Sequence, residues 1–356
     1  VSGQAALFAA LRRRRELLVL AVLLLSTVVL PGGRPPFGVY GFGLTAGAGL
    51  ALHAIGLVLV YRGNRVVNFA QVQLGVFAGS LFSQLAVRRT FLVGLHTVCA
   101  PCVGGSTPIP SGIDTSKISA SQIAAFRATG WIVTANTMLS LVVALLGAGL
   151  LTWIAYHLIV KRFADAPRLV LTLVTITLGQ LLAIGAPWLA TVVSFGSTKD
   201  RIESRIRLPL NVNFTLGKTT FATTDVLRVV IAVVVVVGLM VYLRRSTMGI
   251  ALRGVADNPS RAETLGVPVR AVTSRVWLYA ALLSGIVSIL DVAALGSSQG
   301  ASYSTLIRSL APAVFAAFVS LPVAVVAALI VGVFDQAVLY SFGSALITEG
   351  ILLVVI

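Results

Sequence analysis

The apolar residues of this chain run on without interruption for about 20 positions at a time, the length a helix needs to cross the hydrocarbon of a bilayer. VLRVVIAVVVVVGLMVYL is one such run. Apolar residues make up 57% of the 356 residues and charged ones 11%. Mean hydropathy is +0.99. A soluble domain carries about 25% charge, so water is not the solvent this surface is built for. Barrel strands would alternate over about ten residues, whereas these runs are continuous, and backbone groups inside lipid must be satisfied within the segment. The sequence therefore predicts an all-α polytopic membrane protein of about nine membrane-embedded helices. They fall near 12–31, 42–61, 66–87, 133–157, 168–187, 226–243, 275–296, 307–332 and 336–356. Pro312 and Ser320-Leu321-Pro322 leave the eighth either kinked or split into two half-helices.

The formal charge is +16. The Lys and Arg are dispersed at the ends of apolar runs, where they meet lipid headgroups, and no basic stripe with interleaved aromatics exists. Nucleic acid is thereby excluded as a partner, and the lipid bilayer is the expected one. ALFAALRRRRELLVLAVLLLSTVVL resembles a signal peptide but lacks a small-residue cleavage site, so Arg12–Arg15 read as a cytoplasmic anchor. Inner segments are then 61–66, 158–168, 244–275 and a short turn near Asp335, and the protein is a multi-pass protein of the cell (inner) membrane. Outer loops fall at 88–132 and 188–225. The first is rich in Pro, Gly and Ser and reads as an irregular insertion. In the second, Ile206, Leu208, Leu210, Val212, Phe214 and Leu216 alternate, and Leu216-Gly217-Lys218 supplies a turn, which predicts a small external β-hairpin. The chain ends mid-span at ILLVVI with no polar exit, which fits a natural chain that continues.

No HExxH, GxSxG or Walker motif occurs, and His53, His96 and His157 lie far apart, so an enzyme is not expected. Cys99 and Cys102 are the two cysteines, and with His96 they offer three ligands. A structural zinc site wants four, which favours a small disulfide or two free thiols over metal. Polar residues inside the spans are better guides, since burying them costs energy without partners. Asn68 and Gln71 stand at i,i+3, and Thr172, Thr175 and Gln180 punctuate RLVLTLVTITLGQLL. Each alone suits helix–helix hydrogen bonding, whereas as a set they suggest an uncharged polar pathway. Asp291, Asp335 and Glu349 are the few acids in or near spans, too few for a typical ion-coupled carrier.

Charge concentrates instead in RRSTMGIALRGVADNPSRAETLGVPVRAVTSR, residues 244–275. Met248, Leu252 and Val255 follow i, i+4, i+7, as on an amphipathic helix. Asn258 and Pro259 then suit the N-cap and first position of a second short helix, and Gly266 its end. This helix–turn–helix has an apolar face whose partner is the membrane surface, the rest of the chain or a second protein.

MGIALRGVADNPSRAETLGVPVRAV resembles the cytoplasmic coupling loop of permease subunits of branched-chain (hydrophobic) amino-acid ABC importers. It matches the family pattern at Met248, Gly249, Ala251, Arg253, Ala262, Gly266, Val267 and Val272. GLVLVYRGNRVVNFAQVQLGVFAG is similar to the family's other hallmark, and the resemblance covers roughly residues 40–356. The chain departs from the family at Gln71-Val72-Gln73, at AAFVSLPVA and in its longer segment 94–130. The resemblance implies a permease domain over 1–356 that transports hydrophobic amino acids or related small solutes. It implies ABC ATPase subunits beneath it, which hold the ATP and Mg that this chain does not. It further implies a second or fused permease unit and an extracytoplasmic solute-binding protein. Met248, Leu252, Arg253, Asp257, Arg261, Glu263 and Gly266 would couple to the ATPase. Alternatives of other classes are an ATP-independent secondary carrier or channel and a structural subunit with no pathway.

Overall fold

A computed structural model describes residues 18–27, 35–88, 120–163, 166–193, 214–216, 219–295 and 303–355. Its helices are α1 (Leu18–Thr27), α2 (Phe37–Asn64), α3 (Gln71–Arg88), α4 (Ala120–Leu158) and α5 (Arg168–Val193). A 3-10 turn, Val160–Phe163, separates the last two. Then come strands β1 (Phe214–Leu216) and β2 (Thr219–Phe221), and helices α6 (Thr223–Arg245), α7 (Thr247–Asp257) and α8 (Pro259–Thr264). The rest of the described chain holds α9 (Val269–Leu295), α10 (Tyr303–Phe315), α11 (Leu321–Phe342) and α12 (Ala345–Val355).

The all-α membrane architecture holds, but six helices among the described residues, not nine, are long and apolar enough to cross a bilayer. Of the first expected span only Leu18–Thr27, α1, lies among the described residues. The other differences have physical causes. The third begins only at Gln71, because residues 65–70 are not helical. The eighth is two helices: Ala317 and Phe318 adopt left-handed backbone at φ 49° and 55°, and Pro322 opens α11. Left-handed backbone at two successive residues bearing a Cβ cannot continue a right-handed helix. Asp335 is therefore not at a turn; it lies inside α11 and is buried. α4 already starts at Ala120, inside the segment expected to be an irregular loop. Phe214–Leu216 pairs antiparallel with Thr219–Phe221, while the alternating residues 206–212 and both Cys99 and Cys102 lie outside the described residues.

α2 is the axis of the bundle. It is buried along most of its length and packs against α6, α7, α9, α10 and α11. Glycine permits its closest approach. A Cβ on Gly47 would lie 2.8 Å from Leu329 Cα, and one on Gly332 would lie 2.4 Å from Gly47 Cα. α3 and α9 meet in the same way, for a Cβ on Gly75 would lie 2.6 Å from the Ser284 carbonyl oxygen. Inside lipid no hydrophobic drive pushes helices together, so close backbone packing supplies the attraction. The outward faces stay apolar: Leu146 and Leu150 of α4, Leu173 and Ile184 of α5, and Val233 and Val237 of α6 are exposed.

The two ends of the bundle differ. At one end Arg65 Nη2 donates to the Ala256 carbonyl, Arg62 Nη2 to the Val319 carbonyl at 2.6 Å, and Tyr156 Oη to the Arg270 carbonyl at 3.2 Å. This end, called here the basic end, also carries Lys161, Arg162, Arg244 and Arg245 at the helix ends. At the opposite end β2 covers the start of α2, with Phe221 stacked on Phe42 at 4.6 Å.

Candidate functional site

The basic end is dominated by α7 and α8, and local chemistry explains both. Ser246 Oγ accepts from Gly249 N at 3.2 Å and caps α7. Asn258 Oδ1 accepts from Arg261 N at 3.1 Å and caps α8, with Pro259 in the first turn. Gly266, at φ 83°, ends α8: its N–H bonds the Glu263 carbonyl and the Val267 N–H reaches back to Ala262. That is the Schellman arrangement, which satisfies the last carbonyls of a helix.

The apolar stripe of α7 faces inward. Met248, Leu252 and Val255 are buried in one cluster with Leu52, Ile55 and Leu59 of α2, Val236 of α6 and Trp277 of α9. Its partner is the rest of this chain, so Met248 and Leu252 are anchors of the module rather than a face for another protein. Arg253 is also engaged at home, donating from Nη1 to the Leu243 carbonyl at 3.1 Å at the end of α6. Gly249 lets α7 pack onto that same end, where a Cβ would lie 1.7 Å from Leu243 O. What the module shows outward is Ile250 (62% exposed) and Leu265 (83% exposed), with Asp257, Arg261, Glu263 and Gly266 exposed beside them. The residues of the segment sort into anchors and an outer face, and Ile250 and Leu265 belong to that face although their apolar character alone does not single them out.

The second candidate site lies inside the bundle. After Arg65, which takes left-handed backbone at φ 56°, residues 66–70 run back among the helices before α3 begins. Thr175 Oγ1 lies 3.3 Å from the Val67 carbonyl, seven residues into α5, or about 10 Å along it. Gln71 Nε2 donates to the His53 carbonyl at 2.9 Å, eleven residues before the end of α2, or about 16 Å along it. The N-terminus of α3 therefore starts within the depth of the bundle. Irregular backbone at such depth is tolerated where protein covers it or a cavity adjoins it.

Asn68 precedes α3 rather than sharing a helical face with Gln71, and its Oδ1 accepts from Ala70 N at 3.0 Å. Both side chains are buried, at 1% and 0% exposure. Asn68 Nδ2 and Gln71 Oε1 have no protein partner. His53 joins them from α2, with Nδ1 3.1 Å from Ser284 Oγ of α9. A Cβ on Gly56 would lie 2.3 Å from Gln71 Nε2, so that glycine makes the amide's room. Thr175 is part of this group, while Thr172 lies a turn below, donating to the Arg168 carbonyl at 2.9 Å. Gln180 is not part of it: it is exposed on the outer face of α5, because its neighbour Gly179 is the residue that meets Phe69 and Ala70. Sequence reasoning missed His53, whose isolation in LALHAIGLVL was the available signal.

Asp291, Asp335 and Glu349 are each paired with an arginine. Asp291 of α9 takes Arg228 of α6. Arg308 of α10 reaches both Asp335 of α11 and Glu349 of α12, each at 3.0 Å. Both arginines are distant in sequence from their partners, which kept the pairs out of view.

Comparison with known proteins agrees with this architecture. The family described as "Branched-chain amino acid transport system / permease component" matches residues 39–356. A relative, "Probable branched-chain amino acid transport permease protein LivH" of Methanocaldococcus jannaschii, is 29% identical over 140 residues, which is 39% of this chain. That match spans 42% of the relative's own length. No solved structure matches. With six helices among the described residues long and apolar enough to span a bilayer, the protein is a multi-pass protein of the cell membrane, and the chain belongs to the family of permease components of branched-chain amino acid transport systems.

Proposed function

We propose that this chain is the membrane pathway of an ATP-driven importer for hydrophobic, branched-chain amino acids. The observation that carries the reading is the buried start of α3, where Asn68 Nδ2 and Gln71 Oε1 lack protein partners. A helix N-terminus favours negative charge, a free amide N–H donates to a carboxylate, and a free amide oxygen accepts from an ammonium. A zwitterionic amino acid offers both groups. The relative's printed name and the family description agree with that solute class.

The basic end faces the cytoplasm in this reading. The α7–α8 module docks an ABC ATPase subunit, which holds the ATP and Mg. Ile250 and Leu265 form the apolar centre of the docking face, and Asp257, Arg261 and Glu263 its polar rim. Met248, Leu252 and Arg253 transmit force by fixing the module to α2, α6 and α9. A second permease unit and an extracytoplasmic binding protein complete the importer. An ATP-independent carrier fits less well, since Asp291, Asp335 and Glu349 are tied to arginines rather than exposed to a pathway.

Reconstitution in liposomes with the cognate ATPase and binding protein tests the reading. Labelled leucine is expected to enter only with ATP. Gln71→Leu is expected to lose uptake and Gln180→Leu to keep it. Uptake by the chain without the ATPase would overturn the ATP-driven assignment, and full uptake by Gln71→Leu the pathway assignment.

A further inference from the structure

The break between α10 and α11 is made against the backbone's own preference. Ala317 N–H bonds the Val314 carbonyl at 2.7 Å, and Phe318 N–H reaches back to the Ala313 carbonyl at 2.9 Å. Gly266 closes α8 in the same way, but here the turn is built without glycine: Ala317 and Phe318 hold φ 49° and 55°. Such backbone costs energy for a residue with a Cβ, and it persists where neighbours hold it. Those neighbours stand on the last turn of α2. The Tyr61 ring stacks on Phe318 with centroids 4.4 Å apart, and Arg62 Nη2 donates to the Val319 carbonyl at 2.6 Å.

The same end of α2 also meets the α7–α8 module. Arg65 Nη2 donates to the Ala256 carbonyl in the last turn of α7. Asp257, the next residue, attracts the Arg62 guanidinium, while Arg253 repels it. Arg62 is thus drawn two ways, to the Val319 carbonyl by a formed bond and towards the module by Asp257. Asp257 is exposed, so a protein seated on the module can engage its carboxylate and remove that second attraction.

We propose that Arg62 is a positioning residue that links the α7–α8 module to the α10–α11 break. A partner that engages Asp257 leaves Arg62 to the Val319 carbonyl and tightens the left-handed turn. Its departure loosens the turn. A costly turn held from outside is suited to be a hinge, because a small change in its support shifts its setting. The role in transport rests on the reading that the module docks an ATPase, whereas the link itself needs only this chain.

Hydrogen exchange of the full chain in detergent, read by mass spectrometry over residues 316–320, tests the link. A hydrogen bond from a charged group contributes on the order of tenfold to an opening equilibrium. Arg62→Gln is therefore expected to speed exchange of the Phe318, Val319 and Ser320 amides by about tenfold, and Arg62→Lys to speed it less. Asp257→Asn is expected to act in the opposite sense and slow the same amides by about two- to fivefold, the scale of an exposed charge pair. In the Arg62→Gln background, Asp257→Asn is expected to change nothing. Unchanged exchange in Arg62→Gln overturns the proposal. So does unchanged or faster exchange in Asp257→Asn, or slowing by it that persists in the Arg62→Gln background. These measurements need no ATPase, so they fail separately from the reading of function, which falls if the wild-type chain takes up leucine without one. In the working importer, Arg62→Gln is expected to keep ATP hydrolysis and lose about tenfold in uptake; full uptake overturns the link's role in transport.

Discussion

Two glycines in α7 make opposite demands, and the contrast tests how the α7–α8 module is mounted. In a helix interior Ala is favoured over Gly by about 1 kcal/mol. Gly254 is exposed and a Cβ there meets nothing within 4 Å, so Gly254→Ala is expected to stabilise the protein by up to about 1 kcal/mol. Gly249 carries the same intrinsic preference, but its Cβ would lie 1.7 Å from Leu243 O and 2.5 Å from Leu243 C. Both are backbone atoms at the end of α6, and they cannot rotate away. Restoring ordinary contact, about 3 Å or more, requires the two helix ends to part by more than 1 Å. That movement strains the Arg253–Leu243 bond and the Ser246 cap, each worth about 1 kcal/mol, and pulls Met248 from the core. The overpacking itself costs about 1–3 kcal/mol. The losses exceed the propensity gain, so Gly249→Ala is expected to be destabilised by about 2 kcal/mol or more. Thermal unfolding of both variants in the same detergent reads the sign directly. A rise in Tm for Gly249→Ala matching that of Gly254→Ala would refute the mounting of α7 on α6.

Further outcomes follow from burial, exposure and ion pairing. Leu252→Ala is expected to cost about 2–5 kcal/mol, visible as lowered Tm, because Leu252 is 2% exposed in the cluster around α2. Leu265→Asp is expected to leave Tm nearly unchanged while abolishing co-purification of the proposed ATPase partner. Normal co-purification by Leu265→Asp would remove that residue from the docking face. Arg308→Met strands Asp335 and Glu349 in the bundle and is expected to cost about 3–5 kcal/mol by thermal unfolding. Replacing all three by apolar residues of similar volume is expected to recover most of the loss.

The parts legible in the sequence are those fixed by neighbours along the chain. Ser246 and Asn258 cap, Pro259 starts and Gly266 stops their helices within a few residues, so α7 and α8 could be drawn in advance. What covers the stripe of Met248 and Leu252 could not, because periodicity shows which face is apolar but not what it meets. The sequence pattern divides the last spans at Asp335, which reads as a polar break although it lies inside α11. Its arginine partner stands 27 residues earlier, and no local pattern links the two. Polarity singles out Asn68 and Gln71, yet it places Asn68 on a helix, since the turn inside the bundle is held by α2 and α5 as well as by its own Asn68–Ala70 bond. Gln180 faces outward for a reason the sequence does not carry: polarity in a span does not say which way the side chain faces.

The seam between α2 and α11 constrains how the molecule can change shape. At Gly47 and Gly332 the two backbones touch with no side chain between them. Sliding α11 by one turn, about 5.4 Å, would put Ala328 or Gln336, each bearing a Cβ, where Gly332 now meets Gly47. The contact is keyed like a tooth in a notch and admits one axial setting. α2 and α11 therefore travel as a single piece, and any alternation between open states must be hinged where other helices meet that pair.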